Sequence, residues 1–276
     1  MQKRVEAKRL QVINLYQTQG FSVAKVAETL EMTKTTVRKV LLSENILIRT
    51  QSEQQLLMNG SGSLKHDAFD TFTEESMYWI GFIYADGYVH SKNGRYLITI
   101  DLSTRDKKHL EKFKSFLSAG VSIRDNVRKK GDNIYYTSNI TISSKRLFDR
   151  LTELGFTNNK TYDAKAHESL IHESAFWRGV FDGDGWISKS HTRQYDYCWV
   201  GLCGTFDTIQ TYIEFIKDKI TTKVEAPRHK KGTKSNYETA FVNEVGKKVL
   251  ELLYKDATVY LERKYETYLE MCQEFN

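Results

Sequence analysis

Apolar residues return at helical spacing near the start of the chain, at Val5, Leu10, Ile13 and neighbouring positions, which predicts a helix over residues 4–16 that Gly20 breaks. A second short helix is predicted from Ser22 to Leu30, and Thr33 heads a third that continues to Leu41. The stretch from Arg49 through Gln55 to Asn59-Gly60-Ser61-Gly62-Ser63 is polar and rich in Gly and Ser, the composition of a flexible linker. Beyond it the pattern becomes a repeated succession of an apolar helix, two alternating strands, a helix, two strands and a helix. In the first half Tyr96, Ile98, Ile100 and Leu102 alternate with Arg95, Thr99 and Asp101. Further on, Ile134, Tyr136, Ile140 and Ile142 alternate with Thr137, Asn139 and Thr141, which gives strands with one core face and one polar face. Helices are predicted over residues 106–117 and 145–154. In the second half Cys198, Val200 and Leu202 face inward and residues 208–220 are helical. The pattern predicts an α+β protein with a pseudo-twofold repeat of αββαββα halves behind a small all-α domain. Its expected boundaries are 1–50 for the helical domain, 51–70 for the linker and 71–276 for the repeat, with halves near 71–165 and 166–276.

The helix opening each half carries the same motif, Trp79-Ile80-Gly81-Phe82-Ile83-Tyr84-Ala85-Asp86-Gly87 and Trp177-Arg178-Gly179-Val180-Phe181-Asp182-Gly183-Asp184-Gly185. Gly81 with Ala85, and Gly179 with Gly183, place small residues one turn apart, so two such helices can meet backbone to backbone. Gly87 and Gly185 are expected to take the left-handed conformation that stops a helix. Asp86 and Asp184 then sit at the two C-terminal ends, where the helix dipole disfavours a carboxylate by about 0.3–1 kcal/mol. A second carboxylate nearby adds repulsion. A divalent cation shared with a phosphate backbone would relieve both.

On these residues the chain resembles the LAGLIDADG homing endonuclease family: both copies keep the Gly at the third motif position, the acid at the eighth and the final Gly. The resemblance implies a saddle-shaped DNA-binding sheet and a Mg²⁺-dependent cut in both strands of duplex DNA. It assigns metal binding to Asp86 and Asp184, with the carbonyls of Ala85 and Gly183 as further ligands. The sixth position differs, Tyr84 in one copy and Asp182 in the other. By the same resemblance Asp101 is the polar strand residue that organises water, with Cys203 as its counterpart in the second half, and Lys160 and Lys264 match the family's charge-stabilising lysines. Cysteine orients water weakly, so the two strands are expected to be cut at unequal rates.

Formal net charge is +6, which favours an acidic partner. Two basic runs, Arg128-Lys129-Lys130-Gly131 and Arg228-His229-Lys230-Lys231-Gly232, recur in the two halves and are read as phosphate-binding hairpins. With them, Arg95, Thr137, Asn139, Lys189 and Arg193 are candidate DNA contacts. The first fifty residues resemble the helix-turn-helix family, with Val23, Ala27, Met32, Val37 and Val40 at the spacing that packs two helices across a tight turn. That resemblance makes Thr33, Lys34, Thr35, Thr36, Arg38 and Lys39 candidate base and phosphate contacts. Its turn usually holds Gly, whereas Glu31 stands there.

Cys198, Cys203 and Cys272 are odd in number and lack zinc-ligand spacing. No secretory leader opens the chain, and the apolar run from Met77 to Ala85 falls far short of the ~20 residues of a membrane span. The expected protein is a soluble, monomeric, intracellular one, cytoplasmic or organellar, that binds double-stranded DNA. An intron RNA maturase and a non-cutting DNA-binding regulator of the same fold stay open as alternatives. An architectural DNA-bridging protein is a third. An intein is disfavoured, since Met1 is no splicing nucleophile and Phe275-Asn276 lacks a preceding His. Deletion of residues 1–50 is expected to weaken and shorten the DNA footprint while cleavage survives; an unchanged footprint would show that the small domain binds something else.

Overall fold

The structure, a computed structural model, describes residues 2–50, 54, 64–156, 166–191, 196–220, 223–233 and 235–274. Two compact units divide the chain, one of residues 1–64 with 118–121 and one of residues 65–117 with 122–276.

In the first unit, α1 (Gln2–Ile13) runs into a π-helical turn (Asn14–Thr18), followed by α2 (Val23–Thr29) and α3 (Lys34–Ser43). Ser22 caps α2 by accepting from the Lys25 amide, and Thr33 caps α3 by accepting from the Thr36 amide at 3.1 Å. Glu31, between these helices, has a φ of 52°, so the left-handed turn is made by a non-glycine residue at a cost of about 1 kcal/mol. The core comprises Val12, Tyr16, Val26, Ala27, Val37, Val40 and Leu41, with Val23 and Met32 at its edge. Leu10, read from the sequence as part of the helix's apolar pattern, is exposed, because Val12 and Tyr16 form the stripe that the other helices cover.

The second unit repeats one topology. Its first half comprises α4 (Glu74–Asp86), β1 (Gly87–Lys92), β2 (Arg95–Ser103), α5 (Lys107–Phe116), β3 (Arg124–Lys130), β4 (Asn133–Ser143) and α6 (Lys145–Glu153). Its second half comprises α7 (Ser174–Asp184), β5 (Gly185–His191), β6 (Asp196–Gly204), α8 (Phe206–Lys219), β7 (Arg228–His229), β8 (Tyr237–Val242) and α9 (Asn243–Tyr254), and α10 (Glu262–Glu274) follows. Each half forms a four-stranded antiparallel sheet, in the orders β1-β2-β4-β3 and β5-β6-β8-β7. Among the described residues no helix is long and apolar enough to cross a membrane.

Thr73 and Ser76 start α4 with a reciprocal capping box. The helix is almost wholly apolar and buried from Tyr78 to Tyr84, and α7 is buried from Ala175 to Asp182. An all-round apolar helix belongs in a core, and these two occupy it against each other. Their small residues set the separation. A Cβ at Gly81 would lie 2.0 Å from the Phe176 carbonyl oxygen, and one at Gly179 would lie 2.1 Å from that of Tyr78.

Gly87 and Gly185 are not left-handed: their φ, ψ angles are −80°, 155° and −82°, 163°. Each helix passes directly into an extended strand, and glycine is required there by crowding. A Cβ at Gly87 would fall 2.5 Å from Cγ2 of Ile83, and one at Gly185 would fall 2.3 Å from Cδ2 of Phe181.

Ser138, Ile140 and Ile142 of β4 are buried, but Ile134 and Tyr136, read as core from the same alternation, are 55% and 60% exposed. The β3–β4 ladder continues beyond the part of the sheet that is covered, so the period persists while the burial stops. Gly179→Ala is expected to destabilise the fold by about 2–3 kcal/mol or more, because its clash is with backbone of α4; thermal unfolding should show a lowered midpoint against wild type.

Candidate active site

Asp86 is the last residue of α4 and Asp184 the last of α7, and both are exposed. The crossing of the two helices brings these ends together. A Cβ at Gly183 would touch the Ala85 Cβ at 2.3 Å and lie 3.3 Å from both Cγ and Oδ2 of Asp86. The residue next to one acid therefore lies against the carboxylate of the other, and both acids act electrostatically on the same lysine, Lys264.

Lys264 belongs to α10 and is only 4% exposed. Its ammonium donates to the carbonyls of Phe181 (2.5 Å), Asp182 (3.0 Å) and Gly185 (2.5 Å). An ammonium has three protons, and these acceptors use all of them. Lys264 thus caps the C-terminal end of α7 from beneath. Burial pushes its pKa down to about 8, against the upward pull of Asp182, Asp86 and Asp184.

Asp182 is buried and ties the halves together. Tyr78 Oη donates to it at 2.7 Å, the Leu261 amide donates at 2.7 Å, and Tyr254 Oη donates to its other oxygen. Burial raises its pKa, the bonds opposing this in part. Tyr78 in turn accepts from Nε2 of His109 at 2.8 Å, the tautomer its own donation to Asp182 requires. In the first motif the same position is Tyr84, whose hydroxyl meets that of Thr208 at 2.9 Å. The sixth motif position is thus a structural one in both copies.

Strand register places Asp101 and Cys203 in equivalent positions. Gly87 pairs with Ile100 and Gly185 with Leu202, so each residue sits one step beyond the partner of the motif's closing glycine. Asp101 accepts from Arg128 at 3.0 Å, and its Oδ1 is buried without a hydrogen-bond partner. Cys203 Sγ donates to the Asp184 carbonyl at 3.1 Å and lies 3.5 Å from Lys230 Nζ. Each strand residue therefore has one basic neighbour from the hairpin of its own half.

The hairpins are less alike than their sequences. Arg124 pairs with Asn139, opposite Asp101, whereas Arg228 pairs with Glu238, opposite Cys203. The register partner of Arg228 in the first half is consequently Arg124, not Arg128, and Arg124 was missed because it lies outside the basic run. Lys230 and Lys231 lie in the turn beyond the two-residue strand β7. Alternation puts Arg124 and Arg128 on the polar face with Arg95, Thr137 and Asn139, and turns Lys129 to the opposite face with Val127. Lys189 needs the same correction: it pairs with buried Cys198 and reaches Glu270 of α10 at 3.2 Å, on the helix side of the sheet. Basic character alone does not reveal the face of a strand. The side chains of Lys130, Lys160 and Arg193 lie outside the described residues. In the small unit Thr33, Lys34, Thr35, Arg38 and Lys39 are exposed, and the Thr36 hydroxyl bonds that of Thr33.

Among the described residues no three His, Cys, Asp or Glu side chains converge. Two exposed carboxylates beside backbone carbonyls form an all-oxygen, incomplete donor set. Mg²⁺ suits such a set, since it keeps several waters and takes remaining ligands from a phosphate.

Residues 73–154, which span the first half, match the family model described as the LAGLIDADG-like domain. The second half repeats the topology of that domain strand for strand. No curated protein matches the chain. Solved structures similar to it include the LAGLIDADG homing endonuclease I-GzeII in complex with its DNA target, at 12% identity over 74% of this chain and 89% of that one, with a TM-score of 0.46. The I-LtrWI LAGLIDADG homing endonuclease bound to target DNA matches at 13% identity over 74% and 90%, TM-score 0.46. The LAGLIDADG meganuclease I-CpaMI bound to uncleaved DNA matches at 10% identity over 74% and 90%, TM-score 0.47.

Burial drives the pKa of His109 from 6.5 to about 3. Unfolding in that window takes up a proton, so the contribution of His109 to stability is complete above pH 6.5 and is lost as pH falls toward 3. His109→Gln is expected to flatten the acid limb of the stability–pH profile between these values, measured by denaturant unfolding at each pH; parallel limbs for the two proteins would refute the assignment.

Proposed function

We propose that the chain is a site-specific, metal-dependent endonuclease that cuts both strands of duplex DNA. The observation that carries this reading is the convergence of Asp86 and Asp184, two exposed acids at adjoining helix ends, one from each half of a pseudo-twofold body. The phosphates to be cut on a duplex are themselves related by an approximate dyad, so one acid serves each strand.

In this reading Asp86 and Asp184, with the carbonyls of Ala85 and Gly183, hold divalent metal at the helix ends, Mg²⁺ being the ion their oxygens suit. The metal, when bound, supplies a nucleophilic water and neutralises charge on the phosphoryl and leaving oxygens. The chain supplies placement. Asp101, beside Arg128 on the polar face, orients water in the first half, and Cys203 occupies that position in the second. Lys264 acts by fixing the end of α7 on which Asp184 is carried. Arg95, Arg124, Arg128, Arg228, Lys230 and Lys231 track phosphates. Residues 1–50 form a helix-turn-helix module that adds DNA contact through α3, and a tether between the domains raises its effective concentration at DNA already held.

Asp86→Asn or Asp184→Asn is expected to abolish double-strand cleavage in Mg²⁺ while DNA binding stays within about twofold of wild type. The test is a plasmid assay that resolves supercoiled, nicked and linear forms. Linear product from both variants at the wild-type rate would show that these acids do not hold the metal.

A further inference from the structure

The polar faces of the two sheets differ in kind. On the first, three arginines on strands, Arg95, Arg124 and Arg128, stand among Tyr88, Thr99, Tyr135, Thr137 and Asn139, so that even its exposed aromatics carry hydroxyls. On the second, the register that sends Ile187, Val200 and Leu202 inward puts Trp186, Trp199, Ala240 and Val242 outward. Among the described residues of that face the only strand cation is Arg228, and it pairs with Glu238.

The aromatic surface is built into the backbone. A Cβ at Gly201 would lie 2.4 Å from Cε2 and Cζ2 of Trp186, so the indole lies against the strand where no side chain stands. Trp199 sits on the same face next to Val242, which is 41% exposed. Trp186 follows Asp184 by two residues on a continuous chain, so this surface begins beside that acid. On B-DNA the apolar group displayed in the major groove is the thymine C5-methyl. The part of the face lined by indole and valine is complementary to that group.

We propose that the two sheets read their half-sites by different chemistry: the first by charge and hydrogen bonds, the second by packing Trp186, Trp199 and Val242 on thymine methyl groups in the major groove. This rests on the endonuclease reading and adds to it the base class recognised by one half.

The test uses the full-length Asp86→Asn protein and duplexes selected from a randomised library. The half-site facing the second sheet is the one whose selected sequence changes in Trp199→Thr and in Val242→Thr; the latter keeps shape and exposure, so it reports even where the former fails to fold. Replacing thymine by deoxyuridine in that half-site is expected to weaken binding about fourfold per methyl group covered. The same replacement in the other half-site should change it less than twofold. Trp79 and Trp177 are fully buried, so a change in tryptophan emission on adding the selected duplex reports Trp186 and Trp199. Equal deoxyuridine effects in both half-sites, or unchanged emission with bound duplex, would overturn the proposal while plasmid cleavage by the wild-type protein leaves the nuclease reading standing. Absence of binding to any duplex together with absence of cleavage would remove both.

Discussion

The contact between α4 and α7 is the constraint on which the second unit depends. Gly81, Gly179 and Gly183 let the backbones approach so closely that a methyl group at any of the three would overlap the partner helix. Close approach brings dispersion contacts along both backbones and removes a large apolar area from water. It also fixes the rotation of each helix about its axis, which decides where the last residue of each points. The same glycines that make the core thus bring Asp86 and Asp184 to one place. Function and packing cannot be separated here, since any loosening that relieved the crowding would separate the acids.

That placement carries an electrostatic cost that the fold meets from below. Two carboxylates at the negative ends of two helices repel each other and the dipoles behind them. Lys264 puts a buried cation under the end of α7, where it donates to the carbonyls of Phe181 and Asp182 in the last turn and of Gly185 just beyond it. Asp182 holds α10 in position by accepting from the Leu261 amide at the foot of that helix, and it joins Tyr78 of the first half to Tyr254 of the second. A buried network of this kind is strong only when its members are satisfied. The three donors around Asp182 meet that condition, and they tie α4, α7, α9 and α10 into one support for the acids.

The two halves share topology and register but not chemistry. Where the first sheet offers Asp101 with an arginine beside it, the second offers Cys203 with a lysine; where the first carries three arginines and two tyrosines, the second carries Trp186, Trp199 and Val242. A duplicated fold on one chain allows this divergence, because each half is free to change while the dyad between the acids is kept.

Much of this was legible in the chain. Helical and alternating periods placed α1 to α3, α5, α6 and α8 and the strands β2, β4 and β6 within a few residues, Ser22 and Thr33 marked helix starts, and the paired small-residue stripes announced a close helix crossing. These are local properties, written in the spacing of neighbours. What the tertiary structure decided was which face and which depth each residue took. Gly87 and Gly185 turned out extended and crowded, Ile134 and Tyr136 exposed, Lys129 and Lys189 on the far side of their sheets, and Lys264 buried with its three protons engaged. A strand's alternation has two phases that look alike until a helix covers one face, and a lysine's charge says nothing about the carbonyls that surround it. The sequence by itself determined the repeat and its acids, because those depend on composition at fixed spacing; the surroundings of each side chain were decided by packing between segments a hundred residues apart.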